Sequence, residues 1–146
     1  MLSCREKSCG GSSPSSSAIL EDLTIKITYS SYIEILICFL KDNFPNLKII
    51  KFSKLPSNVA GRCSYKQNWI KIKEPNACKA LMTLAHEGGH YLSYIRNKNK
   101  TGKNFEDFYC CSKREELAYL YGWALLKTIG ATFLISKDMW KKFHVL

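Results

Sequence analysis

From Ala77 to about Arg96 the chain carries its clearest helical pattern. Leu81, Leu84, Ala85, Leu92 and Ile95 fall on one apolar stripe, and Thr83, His86, His90 and Asn97 fall on a polar stripe opposite. Two glycines, Gly88 and Gly89, stand in the middle of this helix. Each costs ~1 kcal/mol there relative to alanine. A helix that keeps such residues beside its polar stripe is one that another backbone or a ligand approaches closely. Whatever fold the chain adopts must bring something against that face.

The other elements follow from local signals. Ser30-Ser31 before Tyr32–Leu40 reads as a capped helix stopped by Pro45. Its apolar run includes Glu34 and soon meets Lys41 and Asp42, so it predicts a core helix and no membrane span. Leu47 to Phe52 alternates lysine with apolar residues and reads as a strand. Arg62–Tyr65 and Trp69–Lys73 read as a hairpin around Gln67-Asn68, with Ile70 and Ile72 on one face. Asn76 is the expected cap of the glycine-bearing helix. A second strong helix is expected from Ser112 to about Ile129, ended by Gly130, and a short last one from Ser136 to Phe143.

These elements predict an α+β fold: a small antiparallel or mixed sheet packed on the glycine-bearing helix and on the second helix. The length of 146 residues suits one domain. Residues 1–17 are polar and rich in serine and glycine, which predicts a flexible tail before a single domain over 18–146. That segment lacks the apolar h-region of an export signal. The seven cysteines are scattered and show no CxxC spacing. Reduced thiols in the cytoplasm are therefore expected. The net charge is +10, but lysine supplies most of it and only four arginines are present. Direct nucleic-acid binding usually clusters arginine with aromatics. A solvated basic surface is the favoured reading, and oligomeric state is not legible.

The chemistry-bearing residues sit on the polar stripe. Residues 86 to 90 read His-Glu-Gly-Gly-His. At i and i+4 on a helix, two imidazoles share one face and can reach one metal ion at ~2.0–2.1 Å. Glu87 lies beside them, placed to act as general base. The spacing points to Zn²⁺ and to hydrolysis of a peptide bond.

Two histidines leave a catalytic site one ligand short. His144 is the remaining histidine. It lies on the weak last helix and reads as a surface residue. The better candidates are Glu115 and Glu116, at the start of the second helix. Leu117, Leu120, Ala124 and Leu125 are its expected buried side. Glu115 adjoins Ala118 by i+3 and leans toward the first helix, whereas Glu116 adjoins Leu120 by i+4. Ser112-x-x-Glu115 also matches a capping box, which would occupy Glu115 with backbone. Periodicity favours Glu115 and leaves Glu116 open.

On these residues the chain resembles the ImmA/IrrE family of metallopeptidases. The resemblance runs from about Val59 to Leu126. It includes Ala60-Gly61-Arg62 before the hairpin, Leu84-Ala85-His86-Glu87-Gly88-Gly89-His90, and Glu115-Glu116-Leu117-Ala118 leading to Leu125-Leu126. Aligning on Ala118 makes Glu115 the third ligand. The resemblance implies a gluzincin-like core, a cytoplasmic metalloendopeptidase, and a protein substrate such as a DNA-binding repressor. Two positions depart from the family's pattern. Gly88 replaces a large apolar residue, which predicts looser packing. Tyr119 stands where an Asp or Asn usually orients a histidine ligand. That second departure supports an alternative function: a zinc-binding regulatory module with little turnover.

Overall fold

The structure, a computed structural model, describes residues 14–51, 53–73, 77–101 and 110–145. Among them are α1 (Pro14–Asn43), β1 (Lys48–Ile50), β2 (Gly61–Ser64), β3 (Trp69–Ile72), α2 (Ala77–Thr101), α3 (Cys111–Thr128), a 3₁₀ turn at Ala131–Phe133, and α4 (Lys137–Val145). The chain is α+β, with four α-helices and one mixed three-stranded sheet among the described residues. No helix among the described residues is long and apolar enough to cross a membrane.

The sheet order is β1–β3–β2. β1 pairs parallel to β3, with Ile49 opposite Ile70. β2 pairs antiparallel to β3, with Gly61 opposite Ile72 and Ser64 opposite Trp69. β2 is therefore an edge strand. The hairpin turn ends in Asn68, whose φ of 56° lies in the left-handed region that asparagine tolerates. The Asn68 side chain accepts a 2.7 Å hydrogen bond from the Tyr91 hydroxyl of α2. Tyr65 stacks on Tyr94 of the same helix at 4.6 Å. Two contacts thus pin the hairpin, and with it the edge strand, to α2.

Ile70 and Ile72 are fully buried, as the alternation in the second hairpin arm predicts. They join Leu36 and Leu40 of α1, Leu81 and Leu84 of α2, and Leu126 of α3 in one core. Each of those leucines is taken wholly out of water, a contribution of ~1.5–3 kcal/mol apiece. Helix propensities differ by only tenths of that per residue. Packing on this core, rather than local preference, sets where the helices lie. α2 is the central element, touching α1, α3, β2 and β3.

Several local expectations are corrected. α1 begins at Pro14 and passes through Ser30-Ser31, which therefore cap nothing; both serines are exposed, where a helix interior tolerates them. Of the expected tail, residues 1–13 lie outside the described residues, and 14–17 belong to α1. The expected strand at Leu47–Phe52 contracts to β1, with Phe52 outside the described residues, as is the Asn76 cap. α2 continues past Arg96 to Thr101. α4 is capped by the Ser136 hydroxyl, 3.2 Å from Met139 N, and extends past Phe143 through His144. Gly130 ends the α3 region with a φ of 78°, as expected of a helix stop.

α3 departs most. Its buried residues are Ala118, Gly122, Leu125 and Leu126, while Leu120 is 52% exposed. Of the expected side Leu125 is buried and Leu120 is not, and the buried line runs through the small residues Ala118 and Gly122. Small residues are what a close helix crossing requires.

Candidate metal centre

α2 sets His86 and His90 one turn apart, their ring centroids 4.8 Å from each other. What faces them is decided by the crossing of α2 and α3. A Cβ on Gly89 would collide with the Ala118 carbonyl oxygen and lie 2.7 Å from the Gly122 nitrogen. A Cβ on Gly122 would lie 2.8 Å from the Ala85 carbonyl and 2.7 Å from the Trp140 ring. The two backbones meet because both positions are glycine. The close approach that Gly88-Gly89 implies is thus made by α3. Gly88 leaves no gap, since a side chain there would meet Leu125 and Leu40 at 3.1 and 3.3 Å.

Glu115 lies on the same line of α3 as Ala118 and Gly122, so the crossing carries it over the histidines. Its Oε2 is 2.5 Å from His90 Nε2, and its Oε1 is 3.5 Å from His86 Nε2. One ligand atom from each residue falls within 4.8 Å of the others. A tetrahedral ion with bonds of ~2.1 Å would hold neighbouring ligands roughly 3.4 Å apart. The observed spacings bracket that value, and two imidazoles with a carboxylate are a donor set suited to a divalent cation. The group can hold a metal ion.

The capping-box alternative for Glu115 fails. α3 starts at Cys111, its cap residue is Cys110, and Ser112 lies inside the helix, its Oγ 3.2 Å from Cys110 Sγ. Glu116 points elsewhere and pairs with Lys113 at 2.9 Å. His86 first, then His90, hold the Glu115 carboxyl well below the usual carboxylate range, so Glu115 stays an anionic donor. Replacing Glu115 with alanine should lower Zn²⁺ affinity by more than the ~10–100-fold typical of losing a supporting residue. Glu116→Ala should stay within roughly twofold, since an exposed ion pair contributes little. Titration against a chromogenic chelator reads both, and equal losses would place the ligand wrongly.

Glu87 is buried beneath β2, whose backbone at Gly61 is so close that a Cβ there would lie 3.2 Å from Glu87 Cγ. Burial pushes its carboxyl up to about 7; His86 opposes this and Glu115 reinforces it. The consequence for stability has a definite sign. Below the ordinary value of 4.5 both folded and unfolded chains are protonated. As pH rises from there to about 7 the unfolded chain ionises first, and folding loses free energy. A shift of this size corresponds to about 3 kcal/mol. Metal-free Glu87→Gln should therefore match wild type near pH 4 and exceed its stability by up to ~3 kcal/mol near pH 8. Urea unfolding with chelator present at both pH values measures this, and a constant difference would contradict it.

Two cavities of about 330 and 320 Å³ flank the cluster and share Gly61, His86, Glu87 and Glu115. Arg62 and Arg114 line the first. Cys63 also lines it, but burial above all, and then Glu87, keep its thiol protonated, a poor state for metal binding. Phe143 and His144 line the second.

No family model, no curated protein and no solved structure matches the chain. The site stands on its own geometry.

His144 is the residue that sequence reading misses. It is no bystander on the surface: its Nε2 lies 2.8 Å from His86 Nδ1. Burial pushes its pKa down, favouring the neutral ring. A usable signal was present, because Trp140 and His144 are four apart and share one face of α4, and Trp140 is fully buried. Tyr119 does not hold a histidine ligand through its hydroxyl; its ring packs edge-on against His144 at 4.9 Å.

Proposed function

We propose that the chain is a cytoplasmic zinc-dependent metalloendopeptidase with a gluzincin-like core, its ion held by His86, His90 and Glu115. The observation that carries this reading is the His86-His90-Glu115 cluster, whose ligand atoms lie within 4.8 Å of one another, with the buried carboxyl of Glu87 beside it on α2. Zinc, when bound, supplies a Lewis acid that acidifies water and polarises a carbonyl. Glu87 accepts the proton of the attacking water and returns it to the leaving amine. The Gly61 backbone lies close to Glu87, which lines both cavities. Among the described residues β2 is an edge strand along the first cavity, where an extended peptide can add as a further strand.

The resemblance to ImmA/IrrE proteins makes a DNA-binding repressor the first protein substrate to try. The alternative is a zinc-binding regulatory module with little turnover, motivated by Tyr119; His144 Nε2, 2.8 Å from His86 Nδ1, offers a hydrogen-bond partner that speaks for the first reading. The test is direct. Zinc-loaded protein is incubated with a candidate repressor and with a complex peptide mixture, and products are read by mass spectrometry. Defined cuts that vanish with chelator support the proposal. A zinc-bound protein that cuts nothing supports the module.

A further inference from the structure

We infer that His144 is a positioning residue for the metal centre: it holds a proton on His86 Nδ1, leaves His86 Nε2 free for the ion, and ties α4 to metal loading. This rests on the metal-binding reading and is independent of what the protein cleaves.

The direction of the relay is fixed at its far end. His144 Nδ1 lies 2.7 Å from the Trp140 carbonyl oxygen. A carbonyl oxygen only accepts, so His144 Nδ1 donates. A neutral imidazole with its proton on Nδ1 carries a lone pair on Nε2. That lone pair faces His86 Nδ1 across 2.8 Å, and His86 Nδ1 must then donate. With a proton held there, Nε2 is the His86 nitrogen left to ligate an ion, and it is the one nearer Glu115. Which imidazole nitrogen binds a metal is set by the hydrogen bond the other makes. His90 lacks such a lock: its Nδ1 is buried with no hydrogen-bond partner among the described residues. The two histidine ligands are thus unequal.

α4 is built to keep His144 in place. Trp140, one turn earlier and fully buried, donates from Nε1 to the Tyr119 carbonyl at 3.1 Å. Its ring rests on Gly122, the glycine that also admits α2. One crossing therefore sets both Glu115 and, through Trp140, the partner of His86. Because coupling is reciprocal, an ion bound at His86 must also steady α4.

The test uses the full chain, titrated with Zn²⁺ alone. Nitrogen-15 imidazole spectra of wild type should show His86 protonated on Nδ1 with and without zinc, and His90 without zinc protonated on Nε2, the nitrogen 2.5 Å from the Glu115 carboxylate. His144→Phe keeps the ring shape but accepts nothing; it should release the His86 tautomer and bind Zn²⁺ ~10–100-fold more weakly. His144→Gln, whose side-chain oxygen accepts, should recover most of that loss. Zinc should slow hydrogen exchange at α4 amides in wild type and fail to do so in His144→Phe. A His86 that carries no proton on Nδ1 in wild type overturns the inference, whether or not a variant folds. So does unchanged zinc affinity in His144→Phe. A wild type that binds no Zn²⁺ sinks the metal reading and the inference with it; zinc binding with the wrong tautomer sinks the inference alone.

Discussion

Glu87→Gln should keep its zinc and lose ~10²–10⁴-fold of its peptide hydrolysis, the usual worth of a general base. Glutamine nearly reproduces the shape of glutamate, so the close cover by Gly61 and Thr83 is undisturbed. His86, His90 and Glu115 are untouched, so metal content should match wild type. What disappears is the ability to accept a proton. The same substitution should stabilise the metal-free protein above pH 7, because a buried carboxylate is no longer forced to ionise. Falling activity with rising stability separates loss of chemistry from loss of fold. Zinc content, unfolding and cleavage are measured on one preparation. If wild type cuts and the variant cuts equally well, Glu87 is not the base.

Gly89→Ala should do the reverse: disrupt the crossing and weaken metal binding without altering the chemistry of any functional side chain. Two effects of opposite sign compete. Alanine gains ~1 kcal/mol of helix propensity over glycine. Its Cβ, however, would land on the Ala118 carbonyl and within 2.7 Å of the Gly122 nitrogen. Both are backbone atoms that cannot swing away. Overpacking typically costs ~1–3 kcal/mol, and more when nothing can yield. The net loss should be about 2 kcal/mol, or roughly 4–8 °C in Tm for a chain of this size. Zinc affinity should fall with it, because α3 must retreat and Glu115 rides on α3. Gly88→Ala is the control one residue away. Its Cβ would meet only the ends of Leu40 and Leu125, which can give way, so propensity should offset packing and zinc affinity should hold. Thermal unfolding and zinc titration of both variants decide it. Equal behaviour would mean that the crossing is not governed by Gly89.

Much of the molecule was legible locally. The apolar stripe of α2, the buried pair Ile70 and Ile72, the hairpin turn at Asn68 and the stop at Gly130 depend on spacings within a few residues. So does the placing of His86 and His90 on one helical face. The errors share a cause too. Serine prefers caps, so local pattern places caps at Ser30-Ser31 and Ser112, yet both sites lie inside helices held by burial on the core. Leu120 is large and apolar, which predicts burial, yet it faces solvent.

The sequence by itself determined which residues could ligate: two histidines one turn apart, a glutamate between them, and a pair of glutamates on the next helix. Only the tertiary structure decided that Glu115 and not Glu116 meets them, that Glu87 is buried enough to rise to about 7, that β1 lies parallel to β3, and that His144 reaches His86. The physical reason is one of range. Periodicity records which side chains an element can bury, and it weighs the large ones. A crossing is set by where side chains are missing, here Gly89 against Ala118 and Gly122. That fit exists only when segments distant in the chain are brought together.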